Sequence, residues 1–147
     1  MTMSRPERPH RATYGFHAPI TTRWSDNDVY GHINNVVYYS YFDTAANLVL
    51  IGAGLDLAQA TVIGLVVESR CHYHAPLAYP MPLVAGVRVD QLGNRAVTYG
   101  IGIFAEGDDL AAAHGHFVHV FVDRATRAPV AIPDRLRAAL AALVREG

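Results

Sequence analysis

The residues of this chain that can do chemistry are concentrated in one short segment. Residues 23–35 read RWSDNDVYGHINN, and a largely apolar stretch follows to position 51. The segment holds two carboxylates, Asp26 and Asp28, together with a glycine and two adjacent asparagines. A helix that begins beside it presents unpaired backbone N–H groups and the positive end of its dipole. A carbonyl oxygen placed there is polarised while a carboxylate attacks it or activates water, so the segment indicates acyl transfer.

Each of these polar residues also has a purely structural interpretation. Asp26 and Asp28 are typical turn and capping residues, because their side chains bind nearby backbone N–H groups. Asn34 and Asn35 could be no more than N-caps of the following helix. His32 could be a general acid or a substrate hydrogen-bond donor, although an imidazole that only orients the loop is the commoner arrangement.

Length and composition narrow the class of protein. A chain of 147 residues with a formal net charge of −1 fits one domain, predicted here over residues 13–147 behind a flexible tail over residues 1–12. All 12 basic residues are arginines without clustering, which argues against a nucleic-acid-binding surface. Cys71 is the only cysteine, which excludes an intramolecular disulfide and fits a cytoplasmic setting. No run reaches about 18 uninterrupted apolar residues, so no membrane segment is expected.

The hydrophobic pattern predicts one long helix followed by a sheet. Over residues 33–50 the polar residues share one narrow stripe at helical spacing, so this helix must be covered on several sides. Beyond it the hydrophobic period changes to two. Strands are predicted over residues 13–23, 62–74, 83–92, 95–105 and 110–123. Short turns make neighbouring strands antiparallel, Pro19 suits an edge strand or a bulge, and Pro133 opens a C-terminal helix.

The strand predicted over residues 95–105 has two contrasting faces. Bulky side chains alternate with small ones, namely Val97, Tyr99, Ile101 and Ile103 against Ala96, Thr98, Gly100 and Gly102. A face of small residues allows a helix to approach a sheet closely, so the long helix is expected on that face.

One long helix and a curled antiparallel sheet of about five strands make an α+β arrangement, the layout of the hotdog fold. Residues 26–38, which read DNDVYGHINNVVY, resemble the signature of the 4-hydroxybenzoyl-CoA thioesterase-like family of acyl-CoA thioesterases. Weaker similarities follow in the expected order, with YHAPL at 73–77, QLG at 91–93 and TRAPVAIP at 126–133. One departure is Tyr79-Pro80-Met81-Pro82, where family members commonly carry Gly-Asp.

The resemblance implies hydrolysis of an acyl-CoA thioester at a site shared between the subunits of a homodimer or a dimer of dimers. Asp28 matches the family's catalytic carboxylate and would act as nucleophile or as general base. Asp26 is assigned no chemical step. Backbone N–H groups near Asn34 and Asn35 would hold the thioester oxygen. Water, a carboxylate and a helix N-terminus suffice for this reaction, so no metal or redox cofactor is expected.

The remaining candidates surround this loop. The expected substrate-binding residues are Tyr30, Gly31, His32, Asn34, Asn35, Tyr38 and Glu68. Tyr38 lies one helical turn beyond the loop and could line an acyl pocket. Some relatives place their catalytic carboxylate elsewhere, and Glu68, on a predicted strand, is the one other carboxylate retained for that role.

Three alternatives accompany this interpretation. The pairs His72/His74 and His114/His116 have a spacing that can bind zinc, but neither has an obvious Cys or carboxylate beside it, so ordinary strand histidines are favoured. An acyl-CoA-binding module without turnover would use the same loop. A hydratase or dehydratase on the same fold would need an aspartate and a histidine that jointly address one water, and Asp28 and His32 could be taken for that pair. This alternative ranks lower because the sequence lacks the Asn-Pro-bearing segment expected for that activity.

Overall fold

Five strands form one antiparallel sheet that curls around a single long helix. The computed structural model describes residues 6–145. Its main elements are β1 (Phe16–Ile20), α1 (Val37–Gly52), β2 (Val62–Tyr73), β3 (Leu83–Leu92), β4 (Ala96–Ala105), β5 (Ala113–Asp123) and α2 (Asp134–Ala141). Short 3-10 helices cover Arg11–Thr13 and Trp24–Asp26. This arrangement confirms the predicted hotdog fold. None of the helices in residues 6–145 is long and apolar enough to cross a membrane.

The two edges of the sheet differ in exposure. The strand order is β1-β3-β4-β5-β2, with every neighbouring pair antiparallel. Pro19 lies on the short edge strand β1, as its missing N–H requires. The opposite edge is the long strand β2, whose residues 66–70 are all exposed, with Val67 at 61%. A long exposed edge presents unpaired backbone groups that can pair with another strand.

Helix α1 begins at Val37, four residues later than predicted. Ile33 and Asn34 do not continue the helix because their backbone N–H groups bind other segments. Ile33 N–H donates to Leu77 O at 2.8 Å, and Asn34 N–H donates to Asp26 O at 2.9 Å. The start of α1 is therefore tied to two loops before its first helical residue.

The prediction that α1 covers the small-residue face of β4 is wrong. The bulky residues of β4 are all buried in the same core cluster as the buried face of α1. On the small face, Tyr14 lies over Gly86 and Gly102, so close that a Cβ at Gly102 would be 2.9 Å from the Tyr14 ring. The large side chains bury more apolar surface against the helix, and the glycines make room for one tyrosine on the other side.

The stretch predicted as a loose tail is partly docked on the sheet. Arg8 Nε donates to Ala111 O at 2.8 Å, and Ala111 N–H donates to Pro9 O at 2.9 Å. Arg11 N–H donates to Asp109 O at 2.7 Å. Residues 8–12 therefore join the loop before β5, while residues 1–5 lie outside the described residues.

Candidate active site

Residues 26–34 form a closed turn, called here the carboxylate loop. Asn27 and Ile33 face each other as an isolated antiparallel bridge at its base. Beyond that bridge, Asp28 N–H donates to His32 O at 2.8 Å. These contacts fold the loop back on itself, so its two ends lie side by side next to the start of α1.

The tip of the carboxylate loop points into solvent. Gly31 has φ of +81°, a conformation that side-chain-bearing residues rarely adopt, and its N–H donates to Asp28 O at 3.1 Å. Nothing lies within 4 Å of a Cβ built on Gly31, so the turn, rather than close packing, requires the glycine. Val29 and Tyr30 are 94% and 82% exposed at this tip. Tyr30 is therefore largely surrounded by solvent within one subunit.

Asp28 is half-buried and has one engaged and one free oxygen. Its Oδ1 accepts the Tyr30 N–H at 2.8 Å and, more weakly, the His32 N–H at 3.4 Å. Among residues 6–145, none donates a hydrogen bond to Oδ2. The backbone thus fixes the orientation of the carboxylate while leaving one oxygen for another molecule.

Asp26 has the opposite environment, because its side chain is 0% exposed. Its Oδ2 accepts the Tyr41 hydroxyl at 2.7 Å and the Arg23 N–H at 2.9 Å, and its Oδ1 accepts Arg23 Nε at 3.0 Å. Burial alone would raise the pKa of Asp26, but the hydrogen bonds from Tyr41 and Arg23 together hold that pKa below its usual value. Asp26 therefore stays ionised as a structural anchor.

The start of α1 offers fewer free donors than the sequence suggested. Asn34 N–H is already bound to Asp26 O, and the Asn34 side-chain oxygen accepts Val36 N–H at 3.1 Å. Asn34 thus acts as a local cap. Within the described part of the chain, Asn35 N–H has no acceptor. Asn35 is the residue that can offer an N–H to a ligand.

A cleft of about 290 Å³ lies beside the carboxylate loop. Three of the candidates predicted from sequence line it, namely His32, Asn35 and Tyr38. The rest of its wall is formed by Ile33, Tyr73, His74, Ala75 and Pro76. The Tyr73 hydroxyl donates to Asn35 O at 2.9 Å, which joins the end of β2 to the start of α1.

Sequence reasoning missed the role of two cleft residues. Tyr73 and His74 were noted for the zinc-like spacing of the His-Tyr-His motif and as part of the YHAPL similarity, and neither was predicted to bind substrate. The signal that was available is their place at the end of a strand, directly before the Ala-Pro-Leu element that also resembles the family.

Glu68 is not brought to the cleft within one subunit. It is exposed on β2 and precedes Tyr73 by five residues, which corresponds to about 16 Å along an extended strand. It lies at a bulge on the open edge of the sheet. Its role as a substrate-binding residue stays a prediction that depends on a second subunit.

The strand histidines contact one another beside the cleft. His74 Nε2 and His114 Nδ1 are 2.8 Å apart, and the His72 ring stacks on His114 with centroids 5.3 Å apart. Burial first, and then the neighbouring imidazoles, lower the pKa of His114 to about 4. No group of three or more His, Cys, Asp or Glu side chains within residues 6–145 is arranged to hold a metal ion.

Solved structures of other proteins share this architecture. The PA5185 protein of Pseudomonas aeruginosa is 55% identical, covers 93% of this chain and 96% of its own, and superposes with a TM-score of 0.92. The PA2801 protein of the same organism, a candidate thioesterase, is 30% identical over 84% of this chain and 95% of its own, with a TM-score of 0.79. A 1,4-dihydroxy-2-naphthoyl-CoA thioesterase from Synechocystis shares the fold at 18% identity, over 87% of this chain and 96% of its own, with a TM-score of 0.76.

The sequence itself identifies the family. No functionally curated protein sequence matches the chain. The family model described as the thioesterase-like superfamily matches residues 22–140, a span that includes the carboxylate loop, α1 and the sheet from β2 to β5. The chain therefore belongs to the thioesterase-like superfamily.

Proposed function

We propose that this protein hydrolyses acyl-CoA thioesters and that Asp28 is its catalytic carboxylate. The observation that carries the proposal is the free Oδ2 of Asp28 on the carboxylate loop, together with the free N–H of Asn35, the residue directly after that loop. A carboxylate oxygen and an unpaired N–H at a helix start are the two groups that thioester cleavage requires. Membership of the thioesterase-like superfamily supports this chemistry.

Two routes use the same atoms. In the first, Asp28 Oδ2 attacks the thioester carbon, the C–S bond breaks, and CoA leaves as a thiolate that takes a proton from solvent. Water then hydrolyses the mixed anhydride and restores Asp28. In the second, Oδ2 takes a proton from water as that water attacks, and the proton passes to the leaving thiolate. In both routes Asn35 N–H stabilises the negative oxygen of the tetrahedral state.

The cleft supplies a place for the substrate beside these groups. Tyr38 and Tyr73 form an aromatic wall with ring centroids 5.2 Å apart, and His32 and His74 add polar groups at the rim. An acyl group can pack on the rings while the thioester reaches the start of α1.

A second copy of the chain is proposed to complete the site. The exposed stretch of β2 is the long free edge of the sheet, and it carries Val66 and Val67. Two β2 strands paired antiparallel about a two-fold axis would satisfy this edge. Such pairing places the Val62 end of one β2 strand opposite the Tyr73 end of the other, next to the cleft. A homodimer or a dimer of dimers is therefore expected, and an active monomer at micromolar concentration in sedimentation would contradict it.

A cytoplasmic setting is proposed because of the single cysteine. Burial raises the pKa of Cys71 to about 11, so this thiol stays protonated and poorly reactive near neutral pH. The reaction proposed here uses no thiol of the protein, no metal and no redox cofactor.

The test is a thiol-release assay with short, medium, long and aromatic acyl-CoA esters. Stoichiometric release of CoA and free acid by the wild-type chain is the expected result. Saturable binding without release would instead indicate an acyl-CoA-binding module. Addition of water to an enoyl-CoA without thiol release would indicate a hydratase.

A further inference from the structure

Tyr41 is attached to the carboxylate loop although it lies outside the cleft. It is buried on α1, and its hydroxyl donates to Asp26 Oδ2 at 2.7 Å. The residues that line the cleft do not include Tyr41. The Tyr41 ring packs edge-on against the cleft residue Tyr38, with centroids 6.0 Å apart, whereas its hydroxyl reaches the carboxylate loop through Asp26.

Asp26 connects both ends of the carboxylate loop. Its side chain receives the Tyr41 hydroxyl, and its backbone carbonyl receives the Asn34 N–H at 2.9 Å. Asp28 follows Asp26 by two residues, and Asn35 directly follows Asn34. One buried residue, Asp26, thus fixes the start of the segment that carries the reactive oxygen through its own position in the chain, and the start of the segment that carries the free N–H through its backbone carbonyl.

Tyr41 is the link from this junction to a rigid element. The other side-chain partner of Asp26 is Arg23, which is three residues away and has a side chain that is 68% exposed. Two further hydrogen bonds of the loop run to another loop, from Tyr79 N–H to Asn27 Oδ1 and from Ile33 N–H to Leu77 O. A third joins its C-terminal end to the first residue of α1, from Val37 N–H to Asn34 O at 2.9 Å. Only the Tyr41 hydroxyl joins the Asp26 side chain to the middle of α1 among the described residues.

We propose that Tyr41 is a positioning residue for the thioesterase reaction. By holding Asp26, it sets the distance between Asp28 Oδ2 and Asn35 N–H. This inference rests on the proposed function, since it concerns the geometry of that site. Small displacements of reacting groups cause large losses of rate, so the effect of losing the hydroxyl should appear in turnover and not in substrate affinity.

The test is Tyr41→Phe, which removes only the hydroxyl and keeps the buried ring. We expect kcat to fall about tenfold or more with KM within about twofold, measured well below the melting temperature. We also expect the Asn34 amide hydrogen, which is bound to Asp26 O, to exchange about tenfold faster by NMR, while amides of β3 and β4 keep their wild-type rates.

Tyr99→Phe is the matched control. The Tyr99 hydroxyl is also buried and lies 3.0 Å from His119 Nδ1, on the strand side of the core. Its removal deletes one buried hydrogen bond without touching the carboxylate loop. We expect a comparable fall in melting temperature, with kcat and the exchange of the Asn34 amide unchanged.

The two proposals fail in different ways. If wild-type protein releases no thiol, the proposed function is wrong, while the amide exchange of Tyr41→Phe still tests the positioning role. If Tyr41→Phe lowers the melting temperature as Tyr99→Phe does, but leaves exchange of the Asn34 amide within twofold of wild type, Tyr41 is only structural. Unchanged kcat in an active, folded Tyr41→Phe variant would overturn the proposal equally.

Discussion

The two carboxylates of the carboxylate loop lie two residues apart and have opposite surroundings. Asp26 is fully buried, and donors from Arg23 and Tyr41 occupy both of its oxygens. Asp28 is half-buried, with Oδ1 held by backbone N–H groups and Oδ2 free among residues 6–145. A carboxylate whose lone pairs are all engaged is an anchor, whereas one with a fixed orientation and a free oxygen can react.

The same loop thus needs both kinds of carboxylate. The anchor holds the backbone in place, and the second carboxylate uses that fixed backbone to aim its free oxygen. Asp26, which is expected to stabilise the fold, and Asp28, which is proposed to react, are two positions apart in the chain. Substitutions at the two sites should therefore give different signatures, and this difference can be tested directly.

Asp28→Asn should give the largest effect on activity. The amide can still accept the Tyr30 N–H through its oxygen, but it lacks the charge that a nucleophile or general base requires. We expect kcat to fall on the order of a hundredfold or more, with little change in substrate affinity. The melting temperature should change by no more than corresponds to about 1 kcal/mol. Thiol release, binding and thermal unfolding check these three statements, and a near-wild-type rate would remove Asp28 from the mechanism.

Asp26→Asn should give the largest effect on stability. In this variant the side-chain NH2 group would face a hydrogen-bond donor of Arg23 or Tyr41 instead of accepting from it. The charge-assisted hydrogen bonds of the carboxylate would be lost as well. We expect a loss of about 2–3 kcal/mol in the free energy of unfolding, measured by urea denaturation. Asp26 is assigned no chemical step, so from sequence alone Asp26→Asn would be a mild control for Asp28→Asn; its buried and fully bonded carboxylate predicts a destabilised variant instead. Unfolding free energies equal in the two variants would contradict the contrast between anchor and reactive carboxylate.

Much of the fold was predictable because it follows from hydrophobic periodicity. The long helix, the five strands, the edge position of Pro19 and the hotdog layout were all indicated by the sequence. The face of β4 that meets α1 was predicted wrongly. The alternation of bulky and small residues defined two faces of the strand, but it could not show that Tyr14 covers the face that carries Gly102.

The location of the site was predictable from the sequence, but the different roles of its two aspartates and of its two adjacent asparagines were not. The loop and the start of α1 were identified from residue types. Which aspartate is buried depends on Tyr41, a residue 15 positions from Asp26. Which asparagine keeps a free N–H depends on the Asp26 carbonyl. Both facts are tertiary contacts that no local pattern encodes.

Gly31→Val should disturb the turn that orients Asp28 and leave the hydrogen bonds of Asp26 intact. A β-branched residue at φ of +81° is strained by about 1–2 kcal/mol, although open space surrounds the position. The strain would distort the turn that supplies the Tyr30 N–H to Asp28. We expect thiol release to fall about tenfold or more. Gly107→Val is the control, since Gly107 also faces open space but has no positive φ, and parental rates for both variants would place the loop away from the reacting centre.

Acid pH should give the smallest change in the free energy of unfolding among these tests. That change reports directly on the ionised Asp26 carboxylate. Since the folded-state pKa of Asp26 lies below its ordinary value, the unfolded chain binds more protons as the pH falls below about 4, and stability is lost there. The folded-state pKa values of His114 and His119 are lowered to about 4, so their losses occur as the pH falls from about 6.5 to 4, above that window. The pKa of Asp123 is also lowered, so protonation of Asp123 reduces the free energy of unfolding below about pH 4 in wild type and variant alike. The free energy of unfolding of Asp26→Asn should therefore fall less steeply than that of wild type below about pH 4, with similar slopes above it. Parallel curves in the acid window would mean that Asp26 is not held ionised by Tyr41 and Arg23.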